Sequence, residues 1–123
     1  LLCYPGKLNQ VFINILGNAI DAIKSKDDRM LQDNPEAEIT VHTSICERAD
    51  KRYALIMITD TGSGISEKAR GHLFEPFFTT KEVGEGVGLG LSISHSIIKD
   101  HNGLIEVESE LGKGAVFKVY VPL

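Results

Sequence analysis

The sequence has no surplus of positive charge. Lysine and arginine number 13 against 17 aspartates and glutamates, for a formal net charge of −4. A general nucleic-acid binder needs a basic surface to neutralise phosphates, so that class is excluded, although a small local basic site is not. Cysteine is scarce: Cys3 and Cys46 lack metal-ligand spacing and read as two reduced thiols. No apolar run approaches the roughly 20 residues of a membrane helix, and no signal peptide is visible. The stretch begins without a methionine and reads as a piece of something longer, so the missing targeting segments say nothing about the parent. Repeats, low-complexity tracts and interdomain linkers are also missing. So are the two commonest nucleotide fingerprints: GxxxxGK[ST] occurs nowhere, and GxGxxG fails because its third glycine would fall on Leu89 or Leu91.

What is there suits one domain. A chain of 123 residues with 42% apolar content can bury a core without disulfides or a structural metal. From Pro5 to Ser25, Leu8, Val11, Phe12, Ile15, Leu16, Ala19, Ile20 and Ile23 recur at steps of three and four, which predicts an amphipathic helix with Pro5 in its first turn. Residues 26–38 are charged, contain Asn-Pro and read as a loop. Ile39, Val41, Thr43 and Ile45 alternate, predicting a half-buried strand. A polar connection then leads to "YALIMITD", a nearly all-apolar run expected to be a central strand covered on both faces. A short helix capped by Ser66 and a glycine-rich loop over 75–88 follow. A second helix over 89–103 closes at Asn102-Gly103, and a terminal hairpin turns at "LGKG". That order predicts an α+β two-layer sandwich, a mixed sheet with helices on one face.

Three stretches carry chemistry. On the first helix, Asn14, Asn18 and Asp21 share a stripe about 60° wide. It is either a solvated face or a site. The usual Glu and Lys of a solvated face are missing, and stacked amide oxygens are hard neutral ligands suited to Mg²⁺. Asp60 ends the apolar strand, with Gly62 and Gly64 just beyond. It is either a turn residue or an acceptor for an exocyclic amine, the glycines letting backbone lie flat against a ring. "GEGVGLGLS", residues 84–92, is either a mobile surface loop or a glycine run whose amides meet an anion at a helix start, with Leu89 and Leu91 anchoring the first turn.

Together these stretches resemble one family across nearly the whole chain. "NQVFINILGNAIDAI" resembles the N box, "DTGSGI" the first glycine box, "LFEPFFTTK" the F box and "GVGLGLS" the second glycine box of the catalytic and ATP-binding domain of bacterial sensor histidine kinases, in the GHKL ATPase superfamily. The resemblance implies a Bergerat-type sandwich whose first strand begins before Leu1. It implies that Asn18, with Asn14 one turn earlier in the catalytic position, holds Mg²⁺ against ATP phosphates. Asp60 would take the adenine N6 amine, with Gly62, Gly64 and Ile65 shaping the adenine pocket. The ATP-binding set would also include Asp21, Gly86, Val87, Gly88, Leu89 and Gly90. Residues 74–88 would form a mobile lid, and Lys81 within it is either a phosphate contact or an exposed side chain.

Two features depart from the family pattern. Ala115 stands where the family's threonine is usual, and none of His42, His72, His95 or His101 lies in a phosphoacceptor motif. The acceptor histidine is therefore expected on a dimerisation hairpin outside this stretch, which by itself would be monomeric. A response regulator would act indirectly as partner, nucleic acid would not, and the domain would be cytoplasmic even where the parent is membrane-anchored. A non-catalytic nucleotide-binding module is the alternative that Ala115 favours. A mechanical ATPase is opposed by the amide at Asn14, where related hydrolysing enzymes place a glutamate, and a serine or threonine kinase of the superfamily is a further alternative.

Overall fold

The computed structural model describes residues 1–26, 37–78 and 90–123. Helix α1 spans Pro5–Lys24, with Pro5 at the position where a missing N–H is harmless. Strands β1, Ile39–Arg48, and β2, Lys51–Asp60, follow. Only Ala49 and Asp50 separate them, both at positive φ (49° and 63°), the twist that a two-residue hairpin requires. The polar connection read from sequence is thus mostly strand. Helix α2 is a single turn, Glu67–Arg70, capped by Ser66 Oγ, which accepts the Ala69 N–H at 3.1 Å. Helix α3 covers Gly90–Asp100 and ends at Asn102, whose φ of 59° lets the Gly103 N–H donate to the Ile98 carbonyl at 2.9 Å. Strands β3, Leu104–Glu110, and β4, Gly114–Pro122, complete the chain.

The sheet order is β1-β2-β4-β3. The α+β sandwich holds, but every described pairing is antiparallel where a mixed sheet was expected. The cause is local. Each hairpin turn is too short for anything but an antiparallel return, and β4 then lies antiparallel beside β2, leaving β3 at the far edge.

Helices α1 and α3 pack together over one face. Leu8, Val11 and Ile15 of α1 and Ile97 and Ile98 of α3 close over Ile58, Ala115, Phe117, Val119 and Val121. The alternation along β4 is what puts its four apolar residues on that side. Two expectations fail here for one reason: the helices lie over the middle of the sheet. No helix among the described residues covers the opposite face of β2. There Tyr53 meets Tyr120 edge to face, with centroids 6.2 Å apart, and Arg48 lies over Tyr120 while pairing with Glu106. At the β1 edge, Val41 and Ile45 remain 54% and 61% exposed, and Ile20 of α1 is exposed too. The alternation was correct, but an edge strand beyond the helices has nothing described to bury it.

Replacing Ile15, which has no exposed surface, by alanine should cost about 2–5 kcal/mol of unfolding free energy in urea. Val41→Thr should stay within about 0.5 kcal/mol. Similar losses in both variants would contradict this placement of the core.

Candidate functional site

Strand β2 delivers Asp60 to its carboxyl end, where the side chain is only 4% exposed. A buried carboxylate needs donors. The Gly62 N–H supplies one, 2.8 Å from Oδ1. Burial is the largest influence and pushes the carboxyl above the ordinary aspartate range, while the amides of Gly62 and Ala115 and the charge of Lys26 pull it back.

The turn after Asp60 is held on two sides. On one, the Ser63 N–H donates to the Ala22 carbonyl of α1 at 3.0 Å, and a Cβ on Gly62 would come within 2.7 Å of Ala22. On the other, the Gly112 N–H of the β3–β4 turn donates to the Ser63 carbonyl at 2.6 Å. Gly64 has φ +75°, and a side chain there would overlap the Glu110 carbonyl. Ile65 is tied down by Ser109, whose Oγ accepts its N–H at 2.8 Å and donates to the Gly114 carbonyl at 2.7 Å. Ile65 also packs against the core.

The polar stripe of α1 does not point to open water. Asn14, Asn18 and Asp21 are half-buried, whereas Lys7 and Gln10 are exposed. Asn14 faces α3: its Nδ2 donates to the Gly90 carbonyl at 3.0 Å and to Ser94 Oγ at 3.2 Å. Ser63 bonds to the same helix that carries Asn18 and Asp21, so the structure brings the turn after Asp60 and the amide stripe together along one wall. It also brings Gly90 to Asn14. Lys81, Gly86, Val87, Gly88 and Leu89 lie outside the described residues.

Four contributors escaped the sequence reading. Lys26 is 8% exposed, and its Nζ donates to the Thr61 carbonyl at 2.8 Å. It was hidden in a charged stretch that reads as solvated loop. Ser94 and Ser109 act across long separations that no local pattern reveals. Gly114, at φ +95°, presses against the Asp60 main chain. Its signal was available in "GKG", beside the unusual Ala115. A small cavity of about 240 Å³ opens beside Asp60 at the strand ends, lined in part by Thr59, Ser109, Lys113 and Ala115.

Comparison with known proteins gives the family and the fold. The sequence model of the family described as histidine kinase-, DNA gyrase B-, and HSP90-like ATPase matches residues 3–123. Sporulation kinase E of Bacillus subtilis is 42% identical over 123 residues, all of this chain and 15% of that protein. Sensor kinase CckA of Brucella abortus is 42% identical over 120 residues, 95% of this chain and 12% of that protein. The chain therefore spans a small part of these relatives. Among solved structures, the catalytic domain of histidine kinase ThkA superposes with a TM-score of 0.71 at 30% identity, covering 98% of this chain and 69% of that one. The mycobacterial sensor histidine kinase MprB superposes at 0.78 with 23% identity over 99% and 76%, a likeness of fold.

Gly64→Ala should cost about 1–3 kcal/mol in urea unfolding, because it forces a side chain into positive φ against a carbonyl; a variant as stable as the parent would refute the described turn. Asp60 should also leave a pH signature. A carboxyl raised in the folded state contributes stability that is fully present below the unfolded value and is lost as pH climbs through the raised one. Relative to Asp60→Asn, the parent should therefore lose stability as pH rises above the ordinary aspartate value of about 4. A difference that does not change as pH rises from there would count against the burial of Asp60.

Proposed function

The chain belongs to the family of histidine kinase-, DNA gyrase B- and HSP90-like ATPases, and on that footing we propose that it is the ATP-binding catalytic domain of a sensor histidine kinase. The relatives at 42% identity are named as sporulation and sensor kinases. One observation supports the site itself above all others: the hydrogen bond from Ser63 to Ala22, which sets a buried acceptor, Asp60, beside the amide stripe of α1.

In this reading Asp60 accepts the N6 amine of adenine. Gly62 and Gly64 keep the backbone close to the ring, and Ile65 forms an apolar wall. Asn14, Asn18 and Asp21 line the phosphate side, joined by Lys81 and the run Gly86, Val87, Gly88, Leu89 and Gly90. Among the described residues no cluster of three His, Cys, Asp or Glu exists. Neutral amide oxygens with few carboxylates suit a Mg²⁺ that takes most of its ligands from phosphates and water. Asn18 would hold it together with Asn14, whose Nδ2 is committed to α3 so that Oδ1 is the atom left to offer. Bound there, Mg²⁺ would supply neutralisation of the phosphate charge.

Phosphoryl transfer depends on positioning and electrostatics more than on covalent help from the protein. Here the γ-phosphoryl would pass to a histidine on a dimerisation hairpin outside this chain, and from there to a response regulator. A neutral imidazole is already a nucleophile, whereas an amide at Asn14 has no basic site to take a proton from water. The arrangement therefore favours transfer over hydrolysis. No described helix is long and apolar enough to cross a membrane. In this reading, use of ATP would put the domain on the cytoplasmic side of any membrane that anchors its parent. Ala115 is the one residue that favours a non-catalytic nucleotide-binding module. Its backbone amide, not a side chain, is what acts on Asp60, and that survives the loss of a hydroxyl.

Calorimetric titration with ATP, with and without Mg²⁺, is the test. The parent chain should bind more tightly with Mg²⁺. Asn18→Ala should lose about tenfold of the Mg²⁺-dependent affinity while changing metal-free binding little. A parent chain that ignores ATP would overturn the reading and bring the degenerate module forward.

A further inference from the structure

Resting on the nucleotide-site reading above, we propose that Ser94 is a positioning residue that sets which way round the Asn14 amide faces. Ser94 lies on the second turn of α3 with no exposed surface. Its Oγ donates to the Gly90 carbonyl, four residues back, at 2.8 Å. A helical serine commonly satisfies itself in this way. What is not common is the other half of the arrangement: the lone pair of the same oxygen accepts from Asn14 Nδ2, on a different helix 80 residues away in sequence.

The consequence follows from the symmetry of an amide. Asparagine presents nearly the same shape with its oxygen and nitrogen exchanged, so its partners decide the orientation. On this side Asn14 meets two oxygens, the Gly90 carbonyl and Ser94 Oγ. Because the Ser94 proton is spent on Gly90, the hydroxyl offers Asn14 an acceptor only. A flipped amide would put Oδ1 against the Gly90 carbonyl oxygen, two acceptors in contact with no proton between them. The amide is thus locked with Nδ2 on the Gly90 carbonyl and Ser94 Oγ, which leaves Oδ1 as the atom to meet whatever cation accompanies the nucleotide. Ser94 touches neither the cation nor the nucleotide and acts only through Asn14. It also fastens the first turn of α3 to α1 at Gly90, the first residue described after the glycine run.

The variant is Ser94→Ala, which removes one oxygen and no packing volume to speak of. Calorimetry with ATP should show metal-free affinity as in the parent and a Mg²⁺-dependent gain reduced about two- to tenfold, the value of one hydrogen bond that orients an amide. The Gly90 carbonyl keeps part of the lock, so the gain should shrink and not vanish. Ser94→Cys, which retains a weak donor and acceptor, should fall between the two. Without any ligand, the Asn14 side-chain NH₂ resonances in a ¹⁵N-correlation spectrum should shift in Ser94→Ala. In the Ser94→Ala, Asn14→Ala pair, the losses of Mg²⁺-dependent gain should be less than additive.

An unchanged Mg²⁺ gain in Ser94→Ala would overturn the proposal. So would equal weakening with and without Mg²⁺, which marks a merely structural role, and so would full additivity. A parent chain that fails to bind ATP is a separate result, visible before any variant is made; it removes the nucleotide-site reading and this inference with it.

Discussion

The turn that follows β2 has no spare room, and the placement of every other element near the site answers to that. Gly62 leaves no space for a side chain against Ala22, Gly64 none against Glu110, and Gly114 none against the main chain of Asp60. These contacts set the height of α1 over the sheet, the reach of the β3–β4 turn and the path of the chain between them. A buried carboxylate at the centre then becomes tolerable, because the same close approach delivers amides to it. What stabilises the turn and what prepares the acceptor are one set of contacts.

A second junction mirrors the first at the other end of the stripe. Two hydrogen bonds from Asn14, to the Gly90 carbonyl and to Ser94 Oγ, join α1 to α3, and a third within α3 ties Ser94 to the same carbonyl. Between the two junctions, α1 presents Asn18 and Asp21 from a helix fixed at both ends.

Much of this was legible in the residues. The spacing of Leu8, Val11, Ile15 and Ala19 marked the buried side of α1, and "DTGSGI" marked a turn in which side chains have no place. The architecture of helices over one sheet face also followed from element order. Three things were not legible. Strand direction depends on turns such as Ala49–Asp50, which carry no Gly, Asn or Pro to announce them. Whether Val41 and Ile45 are covered depends on where the helices end up lying, not on the pattern of β1 itself. Lys26 looked like part of a solvated charge run, and its burial against the Thr61 carbonyl comes from the tertiary path alone.

The pairing of Asp60 with Ala115 has a kinetic meaning. The β1–β2 and β3–β4 ladders close across turns of two or three residues and can form locally and early. The central ladder between β2 and β4 joins segments about 55 residues apart, so its loop-closure entropy must be met before its contacts reward it. The seam it closes is the one on which the buried carboxylate lies. The buried setting of Asp60 is therefore absent from either hairpin alone and requires this long-range pairing. A nascent chain would complete that buried setting only after β4 has been made.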